Sequence, residues 1–358
     1  MNILIHGFTQ VANYGDVLFA HIFFQELSKY GKVGFLDLKG VGIDPILKDE
    51  IKYDTTINLN NADLFVYMSG GYFGDTTNRF KEVVFRYRNY FRIAGTCRRH
   101  RIPVVVCGVS GGPLHNRLLR SCVVKLLNYA SRITVRDIES KEYFEKYGVK
   151  QNICVTTDTA LALSYPEYAS YREETSVIKE IKEKAKGRKI LFFHIYPKDS
   201  SNEKICEIVL PALNRFIKSH PGEFYVVVGA DKITSVEVIE NTEAYQSLVA
   251  DKTAFAYRNT KEMCGMLNAV DCTITVKFHV GIVSCVYGKS VISFPIHPSK
   301  TQRFYRQIGC AERCLLLEET SSDEAYNQIE KYYSSPVLIP NEILDKARLN
   351  YAKDIFEL

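Results

Sequence analysis

The stretch CTITVKFHVGIVSCVYGKSVISF, running from Cys272 to Phe294, holds a strand, a helix and a second strand in close succession. Residues 272–276 and 291–294 are short and rich in β-branched side chains, as strands buried on both faces are. Residues 280–287 are apolar all round, which predicts a helix with no solvent face. Strand, buried helix and strand make the right-handed β-α-β unit of a parallel sheet. Between the first strand and the helix stand Lys277, Phe278 and His279. On an extended backbone Lys277 and His279 point to one side and Phe278 to the other, so a cation and an acid–base group share a face. A histidine beside an apolar helix is often scaffold, but a lysine is seldom buried without a partner, and together they mark a candidate site.

Outward from this unit the same pattern recurs. Residues 2–5, 33–36, 64–68, 104–107 and 133–135 read as strands in the first half, and 190–193, 224–229 and 315–317 in the second. Between two of them Phe80, Val83, Val84, Tyr87, Tyr90, Phe91 and Ala94 recur at steps of three and four, the stripe of a helix laid on a sheet. A chain of 358 residues exceeds one compact core and suits two domains. The expectation is an α/β protein with two Rossmann-like domains facing across a cleft: residues 1–170, a linker at 171–187 that runs into a charged, solvated helix or the first turn of the second domain, residues 188–340, and a terminal helix at 341–358 able to cross back to the first domain.

Composition narrows the function classes. Hydrophobic residues make up 46% and charged residues 24%, which excludes a disordered or fibrous chain. The net charge of +5 is spread along the sequence, so nucleic acid is not an expected partner. No apolar run approaches the ~20 residues of a membrane span and the start lacks a secretory pattern, which predicts a cytoplasmic protein. The cluster Arg98-Arg99-His100-Arg101 allows at most peripheral contact with the inner face of a membrane, and a solvated helix face is the simpler account. Ten cysteines without a Cys-x-x-Cys pair favour neither zinc nor disulfides, so no metal is expected. Neither G-x-G-x-x-G nor a P-loop occurs.

Parallel sheets bind ligands beyond the carboxyl ends of their strands, so the residues after each strand are the candidates. After the first come Asn13, Gly15 and Asp16, with Asp16 placed to cap the helix that follows. After the third come Gly70, Gly71, Gly74 and Asp75, read as a glycine-rich turn. Gly108, Ser110, Gly111 and Gly112 follow the fourth; Ser110 resembles a nucleophile elbow only superficially, and Pro113 suits a first helical position, so a ligand-lining turn is expected. Arg136 and Asp137 follow the strand at 133–135, and Asp158 follows residues 153–155. A local salt bridge is the plain reading of Arg136 with either acid, yet a guanidinium at a strand end is shaped to grip a carboxylate or phosphate.

In their order and spacing these motifs resemble the polysaccharide pyruvyl transferases. The resemblance runs through Asn13-Tyr14-Gly15-Asp16, Gly70 to Asp75, Gly108 to Pro113, Arg136-Asp137-Ile138-Glu139-Ser140, Asp158, and Lys277-Phe278-His279 through Lys300. It implies a fold similar to the type-B glycosyltransferases, phosphoenolpyruvate as the donor substrate, no cofactor, and a glycan or lipid-linked oligosaccharide as acceptor, with the acceptor on the first domain and the donor on the second. It further implies catalytic roles for His279, Lys277 and Arg136. Asn13, Gly15, Asp16, Gly70, Gly71, Asp75, Ser110, Gly111, Gly112, Asp137, Asp158, Phe278 and Lys300 would bind substrate. Where the family usually carries arginine this chain has Lys277, a point charge without the planar two-pronged grip. The alternatives are a nucleotide-sugar glycosyltransferase of type-B architecture and a non-catalytic glycan-binding relative.

Overall fold

The computed structural model describes residues 1–10, 13–37, 43, 45–74, 80–197 and 201–352, the side chains of 201 and 202 excepted. The chain divides into two units. One holds residues 1–12, 16–162 and 341–358, the other 13–15 and 163–340.

The first unit is built on parallel strands β1 (Asn2–His6), β2 (Lys32–Phe35), β3 (Leu64–Tyr67), β4 (Gly70–Phe73), β5 (Val104–Gly111), β6 (Arg132–Val135) and β7 (Ile153–Val155). Their order is β2-β1-β3-β5-β6-β7, and β4 also pairs with β5. Every residue of β3 and β5 is buried, as expected for strands covered by helices on both faces. The glycine stretches read as turns are strand over Gly70–Phe73 and up to Gly111, and the backbone bends at positive φ only at Gly108 and Gly112. Gly70 pairs with Val109 and Phe73 with Gly111, so β4 carries on along β5 where β3 stops. Bare backbone is needed there, because a Cβ on Gly111 would stand 2.0 Å from the Phe144 ring of the helix Ile138–Lys146. Pro113 does not open a helix either: its peptide bond with Gly112 is cis, and the next helix starts at Arg117 with Asn116 as its cap.

The second unit has five parallel strands, β8 (Lys189–His194), β9 (Phe224–Ile233), β10 (Lys252–Tyr257), β11 (Cys272–Thr275) and β12 (Ser290–Ser293), in the order β10-β9-β8-β11-β12. Both units are thus Rossmann-like. Strand order reverses between β1 and β3 in the first and between β8 and β11 in the second, and such reversals are where open α/β sheets receive ligands.

The sequence reading and the structure differ at two elements of the second unit. Residues 315–317 form no strand: the chain makes one bridge from Cys314 to Ser293 and turns into a 3-10 helix at Leu317–Glu319, as the apolar run gives way to Glu318 and Glu319. The edge strand β10 was not read from the sequence. Residues 171–187, read as a linker that runs into a solvated helix or the first turn of the second domain, contain the helix Ser176–Ala185, which buries Ile178, Ile181 and Ala185 while its charges face water. The C-terminal segment groups with the first unit as a short helix, Asn341–Asp345, and a 3-10 turn, Lys346–Asn350. Asn350 is fully buried there, accepting from Thr134 (2.8 Å) and Thr156 (2.7 Å) and donating to the Thr157 carbonyl (2.9 Å).

Candidate active site

At the β8/β11 reversal the chain leaves β11 in a tight bend. The Thr275 hydroxyl accepts from the Lys277 amide at 3.0 Å and donates to its carbonyl at 3.2 Å. Lys277 is still extended (φ −110°, ψ 138°) and caps the helix Phe278–Val286 without a side-chain cap bond. His279 therefore lies on the first helical turn, not on a strand, and the simple alternation of Lys277 and His279 does not hold. What gathers them is the helix start, whose dipole adds to the positive charge. The Lys277 side chain is 8% exposed, and its ammonium lies 4.2 Å from the centre of the Tyr196 ring. Phe278 packs edge-on against Phe304 and carries the Lys300 ammonium 5.5 Å from its ring centre. Lys277, Phe278, His279 and Lys300 thus form one neighbourhood.

Asn13, Tyr14 and Gly15 belong to the same unit although they begin the helix Tyr14–Leu27. Asn13 forms an antiparallel bridge with Lys232, and the Tyr14 hydroxyl meets the Cys264 sulfur at 3.0 Å. Gly15 lies directly against His279: a Cβ there would stand 1.7 Å from Nδ1 of the imidazole. Glycine at 15 is what makes room for the histidine. Asp16 groups with the first unit and sits in the first turn of a helix that starts before it, so it is not the cap expected.

Two buried groups at the same strand ends went unread. His194 ends β8 and is fully buried, with Asp231 of β9 at 3.3 Å from its Nε2. Burial, the largest influence, pushes the Asp231 carboxyl up; His194, then Lys277 and Lys232, outweigh it and hold the carboxyl below its usual range. Applying the strand-end rule to residues 190–193 and 224–229 would have pointed to both residues.

The remaining candidates lie in the first unit. Arg136 is 5% exposed; its Nη1 is 3.1 Å from Asp158 and its Nε 3.9 Å from Asp137. Asp137 caps the helix Ile138–Lys146, accepting from the Ser140 amide at 2.7 Å and the Ser140 hydroxyl at 2.6 Å. The Ser110 hydroxyl lies 3.5 Å from Asp137 and has no described histidine bonded to it, so it is not a nucleophile elbow. Gly70 is buried and Gly71 exposed within β4, and Gly112 lies beside Tyr143. Asp75 falls outside the described residues.

This geometry defines a two-domain α/β protein with a cationic, histidine-bearing strand end. The sequence model for polysaccharide pyruvyl transferase matches residues 13–298, and the chain belongs to that family. No curated protein sequence matches it significantly. Among solved structures it is similar to the UDP-GlcNAc 2-epimerase of Neisseria meningitidis bound to UDP-GlcNAc (13% identity, 98% of each chain covered, TM-score 0.63). It is also similar to the Methanocaldococcus jannaschii UDP-GlcNAc 2-epimerase in complex with UDP-GlcNAc and UDP (11%, 98% of each chain, TM-score 0.62). Anabaena HepE in complex with UDP-glucose is a further fold relative (14%, 100% of this chain and 98% of that one, TM-score 0.54). These likenesses establish the shared fold, of the kind seen in type-B glycosyltransferases.

Proposed function

We propose that the protein is a pyruvyl transferase that takes phosphoenolpyruvate as donor and builds a pyruvyl ketal on a sugar of a surface glycan or its lipid-linked precursor. Family membership supports the class, and the observation that carries the site is the seating of His279 against Gly15 beside Lys277 at the strand-order reversal. Two carbon–oxygen bonds form at the central carbon of the enol, from two acceptor hydroxyls, while the bond to the phosphate oxygen breaks. The methylene carbon takes one proton to become a methyl group, and the second hydroxyl proton leaves with phosphate or passes to solvent. Lys277 and Lys300 offset the donor's carboxylate and phosphate charges, and His279 is the group suited to carry a proton, a role worth about 10²–10⁴ in rate. The same reading gives Arg136 a donor-facing role, which its pairing with Asp158 puts to a test below.

Purified protein incubated with phosphoenolpyruvate and a panel of glycan acceptors is expected to release phosphate and add a pyruvyl ketal, seen by mass. Phosphate-free, product-free incubations across the panel would overturn the reading, and heat protection by a nucleoside diphosphate but not by phosphoenolpyruvate would favour sugar transfer.

We further propose that the acceptor is met at an anionic membrane face. The helical run from Phe80 to His100 exposes Phe85 (44%) and Tyr87 (41%) together with Arg88, Arg92, Arg98 and Arg99. The helical run therefore carries exposed aromatic residues as well as arginines, which an interface can use. Co-sedimentation with vesicles rich in anionic lipid at low salt is expected, and its absence would remove the idea.

A further inference from the structure

Tyr196 carries two ammonium groups over its ring. Its ring centre is 4.2 Å from Nζ of Lys277 and 4.8 Å from Nζ of Lys232. Three neighbouring strand ends deliver these residues: Tyr196 follows β8, Lys232 lies near the end of β9, and Lys277 follows β11. The antiparallel bridge from Asn13 fixes the backbone of Lys232. Sharing one ring keeps the two ammoniums within about 9 Å of each other, each inside the reach of a cation–π contact.

The charges here do not balance. Neither ammonium forms an ion pair with a carboxylate among the described residues. Asp231 feels both lysines without an ion-pair contact to either, and the His194 imidazole lies 3.3 Å from it. Two buried or half-buried lysines over one aromatic ring, beside an uncapped helix start and at the strand-order reversal, make a place that lacks an anion. Like charges at this range repel, and an anion held by both ammoniums would offset that repulsion.

We propose that Lys232 and Lys277 form a two-ammonium clamp for the phosphate of an anionic substrate, with Tyr196 as the ring that sets their separation and Asp231 as the buried counter-charge that holds the clamp in place when it is empty. The clamp rests on the pyruvyl-transfer reading for the identity of its ligand, phosphoenolpyruvate, but not for its preference for a phosphate. It adds Lys232 and Tyr196 as binding residues and Asp231 as a positioning residue.

Calorimetric titration of the full chain with phosphoenolpyruvate, inorganic phosphate and pyruvate tests it. The wild type is expected to bind the two phosphate-bearing ligands and to bind pyruvate far more weakly. Lys232→Gln is expected to weaken both phosphate ligands at least tenfold, and Lys232→Arg to restore most of the loss. Tyr196→Leu, which removes the ring under both ammoniums, should weaken both phosphate ligands as well. Lys232 is half-exposed, so an unchanged melting temperature of Lys232→Gln serves as the control for folding. If Lys232→Gln binds both phosphate ligands as tightly as the wild type, or if the wild type binds neither, the clamp is overturned. Lys232-dependent binding of inorganic phosphate without binding of phosphoenolpyruvate would uphold the clamp and sink the donor assignment. Binding of phosphoenolpyruvate that ignores Lys232 would do the reverse.

Discussion

Each sheet's first strand ends in a fully buried histidine, and the two are answered differently. His6, closing β1, donates from Nε2 to the Asn89 carbonyl at 2.7 Å, and burial draws its pKa down to about 4. It is neutral, surrounded by Phe65, Tyr67 and Tyr90, and belongs to the core. His194, closing β8, has a carboxylate beside it, and that carboxylate feels two lysines. The cations show the same contrast. In the first unit Arg136 is matched by Asp158 and Asp137; in the second, Lys277 and Lys232 share one aromatic ring. A satisfied buried charge organises a scaffold, and an unbalanced one is an invitation to a ligand.

The comparison can be broken at several points. Arg136→Ala leaves Asp158 and Asp137 without their buried cation and should cost about 3–5 kcal/mol in urea unfolding. A loss below about 1 kcal/mol would mean that Arg136 is not holding these strand ends and is free for a substrate. His6 makes stability depend on pH in a definite direction. From its ordinary 6.5 down to about 4 the unfolded chain takes up a proton that the folded unit refuses, so stability falls as pH drops through that window. The loss approaches about 3 kcal/mol by its lower end, and His6→Gln should flatten it. For Asp231 the sign is fixed by a carboxyl held below its usual range. Its stabilisation is present above the unfolded carboxyl value, about 3.9, and is lost as pH falls through the lower native value. Asp231→Asn should therefore cost about 2 kcal/mol at pH 7, and the deficit should vanish in strong acid.

Smaller structural effects carry larger functional ones. Gly15→Ala pushes a methyl group into the imidazole of His279 and should lower kcat about a hundredfold while the chain still folds, since ångström-scale misplacement costs that much. Normal turnover in this variant would detach His279 from the chemistry. Lys277→Arg is the mildest change, exchanging a point charge for a planar guanidinium; donor affinity should hold or improve, and a large loss would show that the Tyr196 ring requires a lysine.

Much of the fold was legible because parallel strands covered on both faces are continuous apolar runs, as in residues 64–67 and 224–228. The edge strand β10 was not, since Lys252 and Thr253 at its start are only half-buried and the run carries little β-branched character. The glycine stretches at 70–74 and 108–112 misled for a physical reason: glycine signals a turn when the backbone must bend, and signals close packing when a ring such as that of Phe144 covers it. At the site, Lys277, Phe278, His279 and Lys300 were readable as a local cluster with family order behind it. His194 and Asp231 are legible only as strand-end residues, and their grouping with Tyr196, Lys232 and Lys277 arises only when β8, β9 and β11 are set side by side. No spacing along the chain encodes that adjacency.

The most direct test of the account is transfer from phosphoenolpyruvate to a glycan acceptor run in heavy water. The account predicts one phosphate released per ketal formed and a pyruvyl methyl group carrying deuterium, with both lost in His279→Ala. Undiminished transfer by His279→Ala, or a product that carries a sugar from a nucleotide donor in place of a pyruvyl ketal, would contradict it.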